Sequence, residues 1–125
     1  MTGALLVAAG AAIGAPLRYL VDRAVGARYS GRFPWGTFAA NVAGSLVLGM
    51  LTGATLAGAA GPGWQAFLGT GLCGALTTYS TFSFETLRLA ESGARGLALA
   101  NVSGTVVAGL AATYAGLGGA SALLG

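Results

Sequence analysis

The chain has 125 residues, 55% of them hydrophobic and 7% charged, with no lysine, no histidine and a formal net charge of +3. A soluble domain carries about a quarter of its residues as Asp, Glu, Lys or Arg, so a mean hydropathy of +0.78 assigns this chain to the membrane. Without histidine there is no serine–histidine or cysteine–histidine nucleophile, and one cysteine with three scattered carboxylates builds no hydrolytic metal site. The arginines fall at the predicted membrane edges, so the positive charge implies no nucleic-acid partner.

A spanning helix needs about 20 mostly apolar residues, which limits a single domain over residues 1–125 to four spans in an all-α membrane protein. Residues 1–17, 33–84 and 96–125 contain no Asp, Glu, Lys or Arg, and the middle stretch is long enough for two spans. The opening MTGALLVAAG lacks the positive segment of a signal peptide. It reads as the start of the first span, over about 3–19, which leads into the polar stretch VDRAVGARYSGRF, part of it lying along the interface. The second span is predicted over about 34–59, with Pro34 in a first turn that has no use for its missing N–H, and ends in the turn GAAGPGW.

The third span, about 65–89, has the centre GTGLCGALTTYSTFSF. Broken backbone survives at membrane depth only where protein, hydroxyl side chains or a cavity satisfy the freed polar groups, so an interruption is predicted between Gly74 and Ser80. The connection ESGARG then leads to a fourth span over about 97–117, and the lone Cys73 offers neither a disulfide nor a cysteine metal site. An internal echo supports this division: ANVAGSLVLGML at 40–51 matches ANVSGTVVAGLA at 100–111, and GAPLRY at 14–19 matches GALTTY at 74–79. The pattern reads as a duplicated helical hairpin, with convergent small-residue packing as the alternative.

Asn41 and Asn101 sit within apolar spans, where an amide costs several kcal/mol unless it is paired or meets water. Each reads equally as a pore lining or as a helix-to-helix hydrogen bond. The glycines four apart, Gly10 with Gly14 and Gly49 with Gly53, are assigned to close helix packing. Tyr79 and Phe82 share a helix face directly after the predicted break, among Thr77, Thr78, Ser80, Thr81 and Ser83. Ring edges are positive and can face an anion, and the hydroxyls can replace its water. Carbonyls freed at the same break point the other way and can hold a cation such as sodium. Arg18 and Glu85 lie near span ends, where snorkelling to the interface equally explains them.

With these residues in view, GAPLRY at 14–19, WGTFAANVAGSLVLG at 35–49 and GLCGALTTYSTFSFE at 71–85 resemble the fluoride channel family, Fluc or CrcB, over essentially the whole chain. The resemblance implies an antiparallel dual-topology dimer of four-helix subunits, with two fluoride pores and a central sodium ion. By motif, the carbonyls of Gly74 and Thr77 would hold that sodium. Tyr79 and Phe82 would line the pores, Asn41 would take the vestibule amide, and Ser80, Thr81, Ser83 and Glu85 the polar path beside them. Arg18 matches the arginine that ends the first helix, while Asn101 and Thr105 stand where the family often shows tyrosine and serine, and Tyr79 where phenylalanine is common. The implied activity is passive export: fluoride trapped in the cytoplasm leaves down its electrochemical gradient, which confers fluoride resistance. A narrow path of donors and ring edges suits a small, tightly hydrated anion better than chloride.

Arg18, Arg23, Arg28 and Arg32 flank the first connection, and Arg88 and Arg95 the third. The positive-inside rule puts both connections in the cytoplasm and both termini outside the cell's inner (plasma) membrane. So strong a bias favours one orientation and pairing with an oppositely oriented homologous subunit, with the homo-oligomer as the alternative. Two other readings are a small four-helix transporter, which would need a carboxylate deep in the first span where this chain has none, and a structural membrane subunit, which leaves the cluster at 77–83 unexplained.

Overall fold

The computed structural model describes residues 2–28, 33–77 and 79–124, with the side chain of Ser80 outside the description; Arg32 and Thr78 therefore lie outside the described residues. Helix α1 spans Thr2–Arg28 and α2 spans Trp35–Leu56. Residues 62–76 form α3, which opens with a turn of α-helix at Pro62–Trp64, continues as π-helix over Gln65–Cys73 and closes with an α-turn at Gly74–Leu76. Helix α4 spans Ser80–Glu91 and α5 spans Arg95–Leu124. Three of these, α1, α2 and α5, are long and apolar enough to cross a membrane. Large apolar side chains such as Leu99 and Val107, each 67% exposed, face outward. That pattern is inside-out for water and ordinary for lipid, and the protein is a multi-pass membrane protein.

Two helix ends lie beyond the predicted spans. Helix α1 continues nine residues past Tyr19 to Arg28, with the Arg23 guanidinium donating to the Tyr19 hydroxyl one turn back at 3.3 Å. Hydropathy marks where lipid ends, and helical hydrogen bonding has no reason to stop there. Helix α5 runs through Gly118 and Gly119 to Leu124 because its flank is held by α2: a Cβ on Gly53 would stand 2.7 Å from the Leu117 carbonyl and 2.9 Å from the Ala120 methyl. The other ends fall within three residues of the predicted ones. Gly58, at φ +78°, lets the Ala59 N–H return to the Ala54 carbonyl after α2, and Gly93, at φ +88°, does the same after α4 for Ala94 and Leu89.

Helix α1 packs on α3 and α2 packs on α5. Between two helices in lipid there is no apolar surface to hide from water, so close backbone approach through small residues supplies the contact. Gly10 faces the Phe67 carbonyl and the Leu72 N–H, and Gly14 faces Leu72 and Ala75. On the other pair, Gly49 faces the Thr113 carbonyl and, one turn on, Gly53 faces Leu117. Partners advance together in both pairs, so each pair runs parallel. The four glycines that the sequence assigned to packing all make such contacts, and the two halves of the echo lie side by side.

Candidate functional site

The site forms where α3 stops. The Thr77 N–H makes the last backbone bond of α3, to the Cys73 carbonyl at 2.9 Å, and Thr77 itself is extended at φ −80°, ψ 160°. The helical path resumes at Ser80, where the Ser83 N–H bonds the Tyr79 carbonyl. Gly44 on α2 makes room for this change of direction, because a Cβ there would collide with the Thr77 methyl. The π-helix that precedes the break was not expected from sequence. It includes the five-residue bond from the Gly74 N–H to the Gly69 carbonyl, and Gly71 inside it lies 3.0 Å, measured from an added Cβ, from Gly10 Cα. Such wide turns are rare and concentrate at functional positions.

A helix end of this kind presents carbonyl oxygens, the negative ends of dipoles. The main-chain oxygens of Gly74 and Thr77 lie at this helix end and are of the kind suited to a cation, while the Thr77 hydroxyl donates to the Cys73 carbonyl at 2.8 Å. Gly74 is exposed, with nothing within 4 Å of where its Cβ would stand. No cluster of three Cys, Asp or Glu capable of holding a metal exists among the described residues, so a cation here would rest on carbonyls. This donor set fits an alkali ion and not a transition metal.

Beside the break lies an open cleft of about 460 Å³, to which α2 contributes Asn41, Ser45 and Leu48, α3 contributes Cys73, Gly74 and Thr77, and α5 contributes Thr105 and Val106. Tyr79 and Phe82 complete it, their ring centroids 6.4 Å apart and their planes tilted by 48°. Tyr79 is 82% exposed, so one wall of the cleft is open to whatever lies against this face. The cleft therefore gathers an amide, hydroxyl residues and two aromatic rings, with the α3 end adjoining. The first set suits an anion and the second a cation.

The remaining sequence candidates lie elsewhere. Arg18 and Thr81 line a separate pocket of about 210 Å³ with Asp22, Gly36 and Thr37. Glu85 joins this second cluster through the buried Thr37 hydroxyl, which donates to its carboxyl group, while Glu85 Oε1 is buried without a partner. The Asp22 carboxylate touches Gly36 in the first turn of α2, where a helix dipole favours negative charge. Helix α4 thus separates two sets of polar residues: Phe82 faces the open cleft, and its neighbour Thr81 faces the charged pocket. Ser83 is half-buried on α4 and lines neither space.

The two asparagines part company. Asn41 lines the cleft, whereas Asn101 is 0% exposed and donates from Nδ2 to the Thr86 hydroxyl at 2.8 Å. Of the two readings open for Asn101, the structure adopts the helix-to-helix bond. Thr37 and Thr86 were missed by sequence reasoning. Each is the partner of a polar residue that the sequence did single out, and the signal was that Glu85 and Asn101 each required a hydrogen-bond partner on a neighbouring helix.

Residues 5–117 match the family model described as CrcB-like protein, Camphor Resistance (CrcB). A relative from Streptomyces avermitilis named fluoride-specific ion channel FluC 1 is 63% identical over 119 residues, covering 95% of this chain and 96% of that protein. A protein of the same name from Frankia casuarinae is 60% identical over 97% of this chain and 98% of its own. A fluoride-specific ion channel FluC from Novosphingobium aromaticivorans is 43% identical over 94% of each.

Proposed function

The chain belongs to the CrcB family, and from that premise we propose that it is a fluoride-selective channel through which cytoplasmic fluoride leaves passively down its electrochemical gradient. It is not an enzyme. The observation that carries the reading is the cleft at the α3–α4 break, where Asn41, Thr105, Tyr79 and Phe82 meet, in a chain 63% identical to a protein named as a fluoride-specific channel. Hydrogen fluoride crosses the bilayer neutral and ionises in the less acidic cytoplasm, so a passive anion path out is sufficient to confer resistance.

Within this reading Asn41 and the Thr105 hydroxyl replace part of the fluoride's water, and the edges of Tyr79 and Phe82 supply positive potential without a fixed charge. Ser80, Thr81, Ser83 and Glu85 form the polar path on α4 beside Tyr79 and Phe82. The α3–α4 break lies at mid-membrane and turns its open face toward a second subunit inserted antiparallel, giving two pores per dimer. The carbonyls of Gly74 and Thr77 from both subunits hold a structural sodium ion, which supplies the positive charge that offsets their converging dipoles.

The arginines at the end of α1, on α4 and at the start of α5 put those connections in the cytoplasm of a bacterial-type inner membrane, with both termini outside. A bias this strong supports pairing with an oppositely oriented homologous subunit, and the homo-oligomer is the competing assembly. The test is efflux from liposomes loaded with potassium fluoride or potassium chloride after addition of valinomycin, read with ion-selective electrodes. Fast fluoride release with negligible chloride release is expected. No fluoride release from folded protein, alone and co-expressed with a homologous subunit, would overturn the reading.

A further inference from the structure

We propose that Asn101 is a positioning residue that acts through Thr86 to hold the Phe82 segment of α4 at the cleft. The inference rests on the channel reading above and adds to it a cross-helix device. Asn101 is 0% exposed and so does not itself reach the cleft. Its Nδ2 donates to the Thr86 hydroxyl at 2.8 Å, and that hydroxyl donates in turn to the Phe82 carbonyl, also at 2.8 Å. The asparagine's other end, Oδ1, lies 3.5 Å from the hydroxyl of Thr105, which lines the same cleft as Phe82. Asn101 is thereby placed between two cleft residues on different helices while remaining outside the cleft.

The arrangement matters because of where α4 begins. It follows an extended residue, Thr77, so α3 does not dictate its rotation or height, and its main neighbour is α5. Apolar contacts in lipid allow a short helix to turn about its axis at little cost, whereas a directional bond from an enclosed amide does not. A threonine that bonds its own helix four residues back is commonplace by itself. Thr52 does so to the Leu48 carbonyl at 2.8 Å, exposed and without a cross-helix donor. What distinguishes Thr86 is that a buried amide fixes the orientation of its hydroxyl, and with it the turn of α4 that ends at the Phe82 carbonyl.

The experiment measures fluoride efflux per folded protein in liposomes for wild type, Thr86→Val, Asn101→Leu and the double variant, with Thr86→Ser and Thr52→Val alongside. Loss of one directional bond is expected to lower efflux about fivefold in each single variant. The double variant should be no worse than the poorer single, because both remove the same link. Thr86→Ser, which keeps the hydroxyl, and Thr52→Val, which removes only a local bond, should stay within about twofold of wild type. If a single variant fails to fold because its former partner is left buried and unpaired, the double variant has no such group, and the same fivefold loss is expected of it. Wild-type efflux in folded variants, or losses that multiply in the double, would overturn the positioning role while leaving the channel reading intact. Absence of efflux from wild type would instead overturn the channel reading, and this inference with it.

Discussion

In α2, Asn41 lines the open cleft and Gly49 meets the Thr113 carbonyl of α5; in α5, the corresponding Asn101 is enclosed against Thr86, and Gly109 has only the Ser45 hydroxyl, 3.5 Å from an added Cβ. The two segments are echoes of each other in sequence, and their helices run side by side. Yet Gly49 faces Thr113, a full turn beyond its counterpart Gly109, so the pair is offset along its axis by about one turn. That offset gives equivalent residues different neighbours. Two matching stretches of sequence thus differ in surroundings, with one asparagine lining the cleft and the other bonded between helices.

The largest effect that would sharpen this contrast is at the glycines. Gly49→Leu drives a side chain into the backbone of α5 and is expected to cost at least about 3 kcal/mol, seen as loss of the monodisperse peak on size-exclusion chromatography. Gly109→Ala, at ordinary van der Waals distance from Ser45, should change stability by less than about 1 kcal/mol, since alanine is the better helix former. Equal damage at both positions would break the contrast.

Next in size is Asn41→Ala. Loss of a donor to a charged ligand is worth about 1.5 to 3 kcal/mol, so fluoride efflux should fall by about tenfold or more with little change in melting temperature. Melting-temperature loss without a flux defect would place Asn41 with Asn101 as a structural amide.

The smallest effects are expected at the next echoed pair. The Ser45 hydroxyl is committed to the Asn41 carbonyl at 2.8 Å, whereas Thr105 is only loosely held, 3.5 Å from Asn101 Oδ1. Efflux should fall less than about twofold in Ser45→Ala and about threefold in Thr105→Val, the gap reflecting a donor held by a longer bond. Reversal of that order would assign the donor role to α2 alone.

Much of this architecture was legible in the residues themselves. The scarcity of charge required lipid, uncharged stretches marked the spans, and Gly10, Gly14, Gly49 and Gly53 were identifiable as packing positions. The cluster from Thr77 to Phe82 stood out because an aromatic pair, which by its spacing alone would be packing, follows a predicted break and lies among hydroxyls. The length of α1 and α5 was less legible, since polarity at Asp22 and Arg23 or glycine at 118 and 119 weakens a span without ending a helix that has a neighbour to lean on.

Composition and periodicity therefore determined that this is a helical membrane protein, roughly where its spans lie and which residues are chemically fit to meet an ion, because those properties depend only on each residue's own side chain and its near neighbours in the chain. Tertiary structure alone decided that Asn41 faces the cleft and Asn101 does not, that Thr37 serves Glu85 and Thr86 serves Asn101, and that Thr81 lies across α4 from Phe82. Those outcomes depend on how far each helix is rotated and shifted against the next. Glycine contacts such as Gly49 with Thr113 set that rotation and shift, and they join residues far apart in the chain.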